Sequence, residues 1–339
     1  MTEKNEWIAL HVFYAANANP VLTDCVGPLA TELREAGLLA KWFFIRYWLE
    51  GPHVRLRLLP SAPEHAGVVR RTAEERLAAY LLRRPALYEE DRNASGDLYK
   101  NMYLAEYSQE QWDADYGPEG AMPFRDNNSV HLMTYDREYS RYGGPLAMEL
   151  AESHFQRSSE LVLDLLATTN VHVRTALLGQ SAQFMLALCL AFLPDEAAVA
   201  GFLTRYRTMW ETSYQESSEG QHEKFDTSYL RMRDRLVHRA AQVRDSVRGL
   251  PGAAPTPQER AWIEHAVELR DAVVDLTRAG QVTFRDDVAP EDPQDALAVV
   301  LSSYVHMTNN RLGVSILDEI YLSYVLRKAL LEAADEEAA

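Results

Sequence analysis

The chain has 339 residues, enough for one large domain or two of ordinary size. Apolar residues make up 47% and charged residues 25%, the mix of a globular protein rather than of a disordered or fibrous one. A net charge of −16 repels phosphate backbones, so it argues against nucleic acid as a partner while leaving room for a local basic pocket.

Residues 7–14 read as a first strand, and Asn17 to Pro20 break it. Val21, Leu22, Cys25, Val26, Leu29 and Leu33 fall at helical spacing and predict a helix over 21–37 that stops at Gly37. The next stretch carries most of the information. Trp42, Phe43, Phe44, Tyr47 and Trp48 fill one strand, Glu50-Gly51-Pro52 makes a turn, and 53–59 alternates strictly. Alternation puts Val54 and Leu56 on one face and His53, Arg55 and Arg57 on the other. The plain reading of the basic face is a strand side that meets water. The aromatic density of the preceding strand argues for a buried setting instead. Arginine keeps its charge at any physiological pH, and its planar fork matches a carboxylate with two parallel bonds.

Residues 62–83 predict a helix with a charged face of Arg70, Arg71, Glu74, Glu75 and Arg76. Residues 84–128 mix Tyr, Asp, Glu, Asn, Gly and Pro without a sustained period and read as a long functional loop or lid with a short helix near 97–115. A short strand is expected at 129–135, leading into Glu138-Tyr139-Ser140-Arg141-Tyr142-Gly143-Gly144. From there the pattern is helical: roughly 145–167, 171–193, 195–217, 222–247, 257–279, 291–311 and 315–335, with a frayed acidic tail from Glu332 to Ala339. The fold class is therefore α+β, a small antiparallel sheet with a large, mostly helical body, and one compact unit is expected rather than two independent domains.

Cys25 and Cys189 stand far apart in apolar surroundings and read as reduced thiols of a cytoplasmic protein. The start of the chain carries no apolar signal region. The most apolar run, 176–193, holds Gln180, Ser181 and Gln183 and reads as a buried helix, not a membrane span. No metal-ligand spacing and no phosphate-binding loop occurs, so neither metal nor cofactor is expected.

Three segments hold candidate chemistry: His53/Arg55/Arg57, Glu138-x-x-Arg141-Tyr142-Gly143-Gly144, and Tyr304 through Arg311. In the third, helical spacing places Ser302, His306 and Asn309/Asn310 on one face, with Arg311 close to the end at Gly313. The plain reading of His306 is a core histidine bonded to a neighbour, that of Arg141 a salt bridge with Glu138 or Glu149, and that of the glycine pair a turn into the next helix.

Together these segments resemble a known family. Phe-Phe-Ile-Arg-Tyr before Gly-Pro-His-Val-Arg-Leu-Arg-Leu, then Glu-x-x-Arg-Tyr-Gly-Gly-Pro with Ala-Glu-x-x-Phe, then Ser-x-x-His-Met-x-x-Asn-Arg-Leu-Gly, resemble the C-terminal domain of class I lantibiotic dehydratases, which also occurs free-standing as the thiopeptide-type bacteriocin biosynthesis protein. The resemblance runs from about Trp7 to the end of the chain, so 1–339 is expected to be a single domain of this type with an insertion at 84–128. It departs from the family at Ser158-Ser159, where Asp-Ser is more common, and in that insertion.

What the resemblance implies is a ribosomal-peptide tailoring enzyme. Its reaction would be β-elimination of glutamate from a glutamylated Ser or Thr of a precursor peptide, leaving dehydroalanine or dehydrobutyrine. By the motif match Arg55, Arg57, Arg141 and His306 take the essential positions, with Glu138 supporting Arg141. His53, Tyr47, Tyr142, Asn309 and Arg311 are candidate substrate-binding groups. Elimination removes a weakly acidic α-proton and releases a carboxylate, so fixed cations and a group titrating near neutrality are the required types. The expectation is that these guanidinium groups and the imidazole meet in one cavity. A rival reading shares the fold but joins two dehydroalanines in a formal [4+2] aza-cycloaddition, with leader peptide loss, to make a pyridine. Tyr88, Tyr99, Tyr103 and Tyr107 of the insertion would line that site. A second rival is a non-catalytic subunit that holds a leader peptide by strand addition. The expected partners are a precursor peptide and a separate glutamylating dehydratase subunit, with a second copy of the chain as a candidate; neither nucleic acid nor membrane is expected.

Overall fold

Alternation over the basic segment produces β3 (His53–Pro60), and β3 lies inside the sheet. In the computed structural model, which describes residues 6–88, 92–214, 218–251, 253–285 and 288–338, β3 pairs antiparallel with β2 (Leu39–Tyr47) on one side and β1 (Ile8–Phe13) on the other. A short β4 (Ser129–Met133) joins the outer side of β1, giving the order β2-β3-β1-β4. The architecture is α+β, as the pattern predicts.

The chain divides into two compact units. The first comprises Met1–Asp136 and Phe155–Thr168, the second Arg137–His154 and Thr169–Ala339.

In the first unit Leu10, Val12, Val54, Leu56 and Leu58 are each 0% exposed. Burying a side chain of that size stabilises by about 1.5–3 kcal/mol, so this apolar row holds the sheet to its helices. α2 (Gly27–Glu35) and α3 (Ala66–Arg83) lie against the strands and contribute buried Leu29, Leu33, Val69, Ala73 and Leu77. The predicted helix from Val21 is not uniform. A short α1 (Asn19–Val21) passes through a π turn at Leu22–Val26 before α2 begins. Pro28, in the first turn of α2, has no N–H to give to a carbonyl one turn back, and the wider π turn absorbs that loss.

The insertion holds two helices rather than one, α4 (Arg92–Glu106) and α5 (Gln109–Tyr116). Ser108 starts the second, its hydroxyl accepting from Gln111 N–H at 3.2 Å. Tyr99, Tyr103, Trp112 and Met122 form a buried cluster of their own, and Trp48, Leu49, Tyr107, Tyr116 and Phe124 pack against it. The insertion is tied to the turn after β2. The backbone N–H of Arg125 donates to Glu50 O at 2.9 Å, and its guanidinium pairs with the Glu50 carboxylate at 2.7 Å.

α7 (Pro145–Thr168) gives its second half to the first unit. There Phe44 N–H donates to Ser159 Oγ at 3.1 Å and Trp42 N–H to Gln156 Oε1 at 3.4 Å. These bonds occupy outward donors of β2, which would otherwise be an open sheet edge.

In the second unit a short α6 (Tyr139–Tyr142) precedes the first half of α7. The body follows: α8 (Arg174–Phe192), α9 (Glu196–Ser213), α10 (Ser218–Val247), α11 (Pro257–Arg278), α12 (Pro293–Leu312) and α13 (Ile316–Ala338). The expected end of the helix at 217 lies outside the described residues, as does the last residue of the acidic tail. Asp292 caps α12 with its carboxylate on Gln294 N–H, Pro293 opens the first turn, and Gly313, at φ 83°, ends it. Among the described residues α8 is the one helix long and apolar enough to cross a bilayer, and half of its apolar window is buried inside the protein.

Candidate functional site

The basic face of β3 is not a solvated face. His53 is 5% exposed and Arg57 4%. Register places Arg57 opposite Phe43 and Ala9, Arg55 opposite Ile45 and His11, and His53 opposite Tyr47 and Phe13. Cross-strand partners share a face, so two arginines and two histidines stand together. The rings of His11 and His53 stack at 4.8 Å.

Hydrogen bonds fix the protonation of both imidazoles. Arg55 Nε donates to His53 Nε2 at 3.2 Å, so the His53 proton sits on Nδ1, 2.8 Å from Gly51 O. Arg57 Nη2 donates to His11 Nε2 at 3.1 Å. Burial, with the charge of Arg57 next, lowers the His11 pKa to about 2. Burial is also the main cause for His53, lowered to about 3 with Arg55 and Arg57 contributing. The cluster therefore carries two fixed positive charges and two neutral rings. The Arg55 guanidinium lies 3.5 Å over the Tyr47 ring, and the Tyr47 hydroxyl is 3.0 Å from that of Tyr107 in the insertion. Arg57 is 5.3 Å from the Tyr135 ring centre. Among the described residues it forms no direct ion pair, the Asp136 carboxylate acting on it from farther away, and its Nε hydrogen has no acceptor. Burial, then Arg55, lowers its pKa to about 10.

In the second unit Glu138 and Arg141 pair at 2.9 Å, both substantially exposed, and Arg141 Nε donates to Ser303 Oγ of α12 at 3.1 Å. Ser303 and His306 are three residues apart on one helix face, so Arg141 is anchored one turn from His306. Gly143 and Gly144 have φ of 94°, and a Cβ on Gly143 would stand 2.9 Å from Val282 Cγ1. The pair is there for close approach as well as for the turn. Tyr142 is buried and stacks on Tyr304 at 6.0 Å, and burial raises its pKa.

His306 is partly open, its side chain 20% exposed. Its Nδ1 lies 2.9 Å from Glu319 Oε1, and its ring centre 4.9 Å from that of Trp210. Asn309 and Arg311 point inward. Asn309 Oδ1 accepts from Ser181 Oγ at 2.7 Å, and Arg311 Nη1 donates to Met307 O at 2.7 Å. Both are fully or almost fully buried.

Sequence reasoning did not single out His11, Ser303, Glu319 or Tyr206. His11 carried a usable signal, since it sits in the first strand where period 2 aligns it with a basic residue of a neighbour. Among the described residues no group of three His, Cys, Asp or Glu could hold a metal ion. A cavity of about 340 Å³ in the second unit is lined by Gln183, Phe184, Arg239, Gln242, Glu259 and Trp262 among others, and by none of the sequence-predicted residues.

The protein is thus an α+β chain with a buried cationic row on the sheet of its first unit and a carboxylate-bound histidine in the helical body of its second. The chain belongs to the family described as lantibiotic biosynthesis dehydratase C-term, whose model matches residues 7–330. Similar solved structures include three of known description. One is described as the pyridine synthase TbtD from thiomuracin biosynthesis, with a TM-score of 0.75 and 21% identity over 98% of this chain and 99% of that one. Another is TsrL, with 0.68 and 18% over 98% and 96%. The third is the tRNA-dependent lantibiotic dehydratase MibB from Microbispora sp. 107891, with 0.60 and 20%, covering all of this chain and 29% of that one. At these identities the likeness speaks to the fold. No curated protein matches the chain.

Proposed function

We propose that the protein eliminates glutamate from glutamylated Ser or Thr side chains of a precursor peptide in ribosomal peptide maturation. The observation that carries this reading is Arg57: a buried guanidinium that bonds to imidazole and backbone and forms no direct ion pair among the described residues, the Asp136 carboxylate acting on it only from beyond salt-bridge distance. A buried cation without a direct ion-pair partner is costly to keep out of water. A substrate carboxylate or the oxyanion of a developing enolate would supply a direct partner. Arg55 and Arg57 are the groups proposed to hold the glutamyl carboxylate, and from the family resemblance Arg141 takes the role of stabilising negative charge and His306 that of carrying the proton. In balanced form, a base takes the α-proton, the C–H pair becomes the Cα–Cβ double bond, and the Cβ–O bond breaks with its pair on the departing glutamate. Each charge-assisted hydrogen bond to the anion contributes roughly 1.5–3 kcal/mol.

The test is to incubate the protein with a glutamylated precursor peptide and follow its mass. Loss of glutamic acid is expected, and the His306→Ala protein should remain folded while glutamylated peptide accumulates. Full dehydration by that variant would remove His306 from the reaction.

A second reading has a specific observation behind it. The likeness to the TbtD pyridine synthase spans essentially both chains, and the insertion brings Tyr99, Tyr103, Trp112 and Tyr107 together next to Tyr47. A formal [4+2] aza-cycloaddition of two dehydroalanines would use such a wall. Incubation with a peptide carrying two dehydroalanines separates the readings: a pyridine product with leader loss selects the cycloaddition.

A further inference from the structure

We propose that Glu319 and Tyr206 are positioning residues that fix His306 in one tautomer, with Nε2 as its working nitrogen; the proposal rests on the elimination reading above. Glu319 is 0% exposed and accepts at one oxygen from His306 Nδ1 and at the other from the Tyr206 hydroxyl. Tyr206 is buried on α9, and burial together with the Glu319 charge pushes its phenol pKa well above the ordinary value. The phenol thus stays a donor to the carboxylate. A carboxylate oxygen can only accept, so the proton of the neutral imidazole must sit on Nδ1. Nε2 then carries the lone pair, and among the described residues it makes no hydrogen bond.

The surroundings restrict the ring as well as its proton. Trp210, one turn after Tyr206 on α9, stands 4.9 Å from the imidazole, and Glu319 holds the Nδ1 edge. Glu319 itself lies in the first turn of α13, behind Ser315, whose carbonyl accepts from Glu319 N–H at 2.9 Å. Negative charge is favoured at that end of a helix. When Nε2 takes a proton, the imidazolium forms against a carboxylate already in place, and no reorganisation is needed at that moment. This arrangement differs from a packing histidine, which would have both nitrogens engaged in the interior.

The experiment uses the full chain with 15N-labelled histidine, and the variants Glu319→Gln and Tyr206→Phe. With glutamylated peptide as substrate, Glu319→Gln should lower kcat by about 100-fold with KM nearly unchanged, and Tyr206→Phe by about tenfold. Imidazole 15N spectra without substrate should show His306 as the Nδ1–H tautomer in the wild type and a shifted tautomer ratio in Glu319→Gln. An unaltered ratio in that variant, or an unaltered kcat, overturns the proposal. If Glu319→Gln does not fold, Tyr206→Phe decides by the same two readouts. A wild type that shows the tautomer but releases no glutamate would sink the elimination reading while leaving the positioning of His306 intact.

Discussion

Arg57 and His11 show how one buried contact sets chemistry. Arginine can only donate, so the imidazole it touches must accept and stay neutral. Replacing the fork by a point charge should therefore harm function more than charge counting suggests. Arg57→Lys is expected to slow glutamate release roughly 10–100-fold, the kinetic equivalent of one charge-assisted hydrogen bond. The check is single-turnover mass spectrometry on a glutamylated peptide, and an unchanged rate would show that the fork is not needed. The same contact has a stability consequence. His11 and His53 have folded pKa values of about 2 and about 3, below the ordinary 6.5. As pH falls below that ordinary value the unfolded chain takes up these protons first. Their contribution is complete above pH 6.5 and is lost on the way down toward 2 to 3. Each histidine should cost roughly 1.4 kcal/mol per pH unit in that window. Urea unfolding between pH 7 and pH 5 should therefore show a shallower pH slope in His11→Gln than in the wild type.

At the scale of elements, the short α6 and the glycine pair after it form a turn built for contact. Thr283 N–H donates to Gly143 O at 3.2 Å, and Val282 fills the space where a Cβ would stand. Gly143→Ala would add both a left-handed backbone cost and a clash, together about 1–3 kcal/mol. A lowered unfolding midpoint is expected, and an unchanged one would mean that the 281–284 strap yields freely. The extent of each element was legible wherever the pattern was long. The strands 42–48 and 53–59 and the helix edges at Asp292-Pro293 and Gly313 follow from alternation, capping and αL geometry. The two helices of the insertion were not separable, because their period is weak and Ser108 is one of several polar residues there. The π turn was hidden too, since Pro28 marks a missing donor without saying how the chain accommodates it.

Over the whole molecule the dominant electrostatic fact is the charge of −16, against which the cationic face of β3 is a local exception. Such a surface should not hold a nucleic acid at physiological salt. Fluorescence polarisation with labelled tRNA is expected to show no binding, and added tRNA should leave glutamate release unaffected. Saturable, salt-sensitive binding would overturn that expectation. The sequence by itself determined the fold class, the basic face and the turn glycines, because periodicity and local chemistry act over a few residues, whereas the candidate set of Arg55, Arg57, Arg141 and His306 came from the family resemblance. Only the tertiary structure decided which side chains those groups meet. Glu319 reaches His306 across a helix break, Tyr206 reaches Glu319 from 113 residues away, and Ser159 reaches Phe44 from 115. Period records the face a residue takes, and packing of distant elements chooses the partner that faces it.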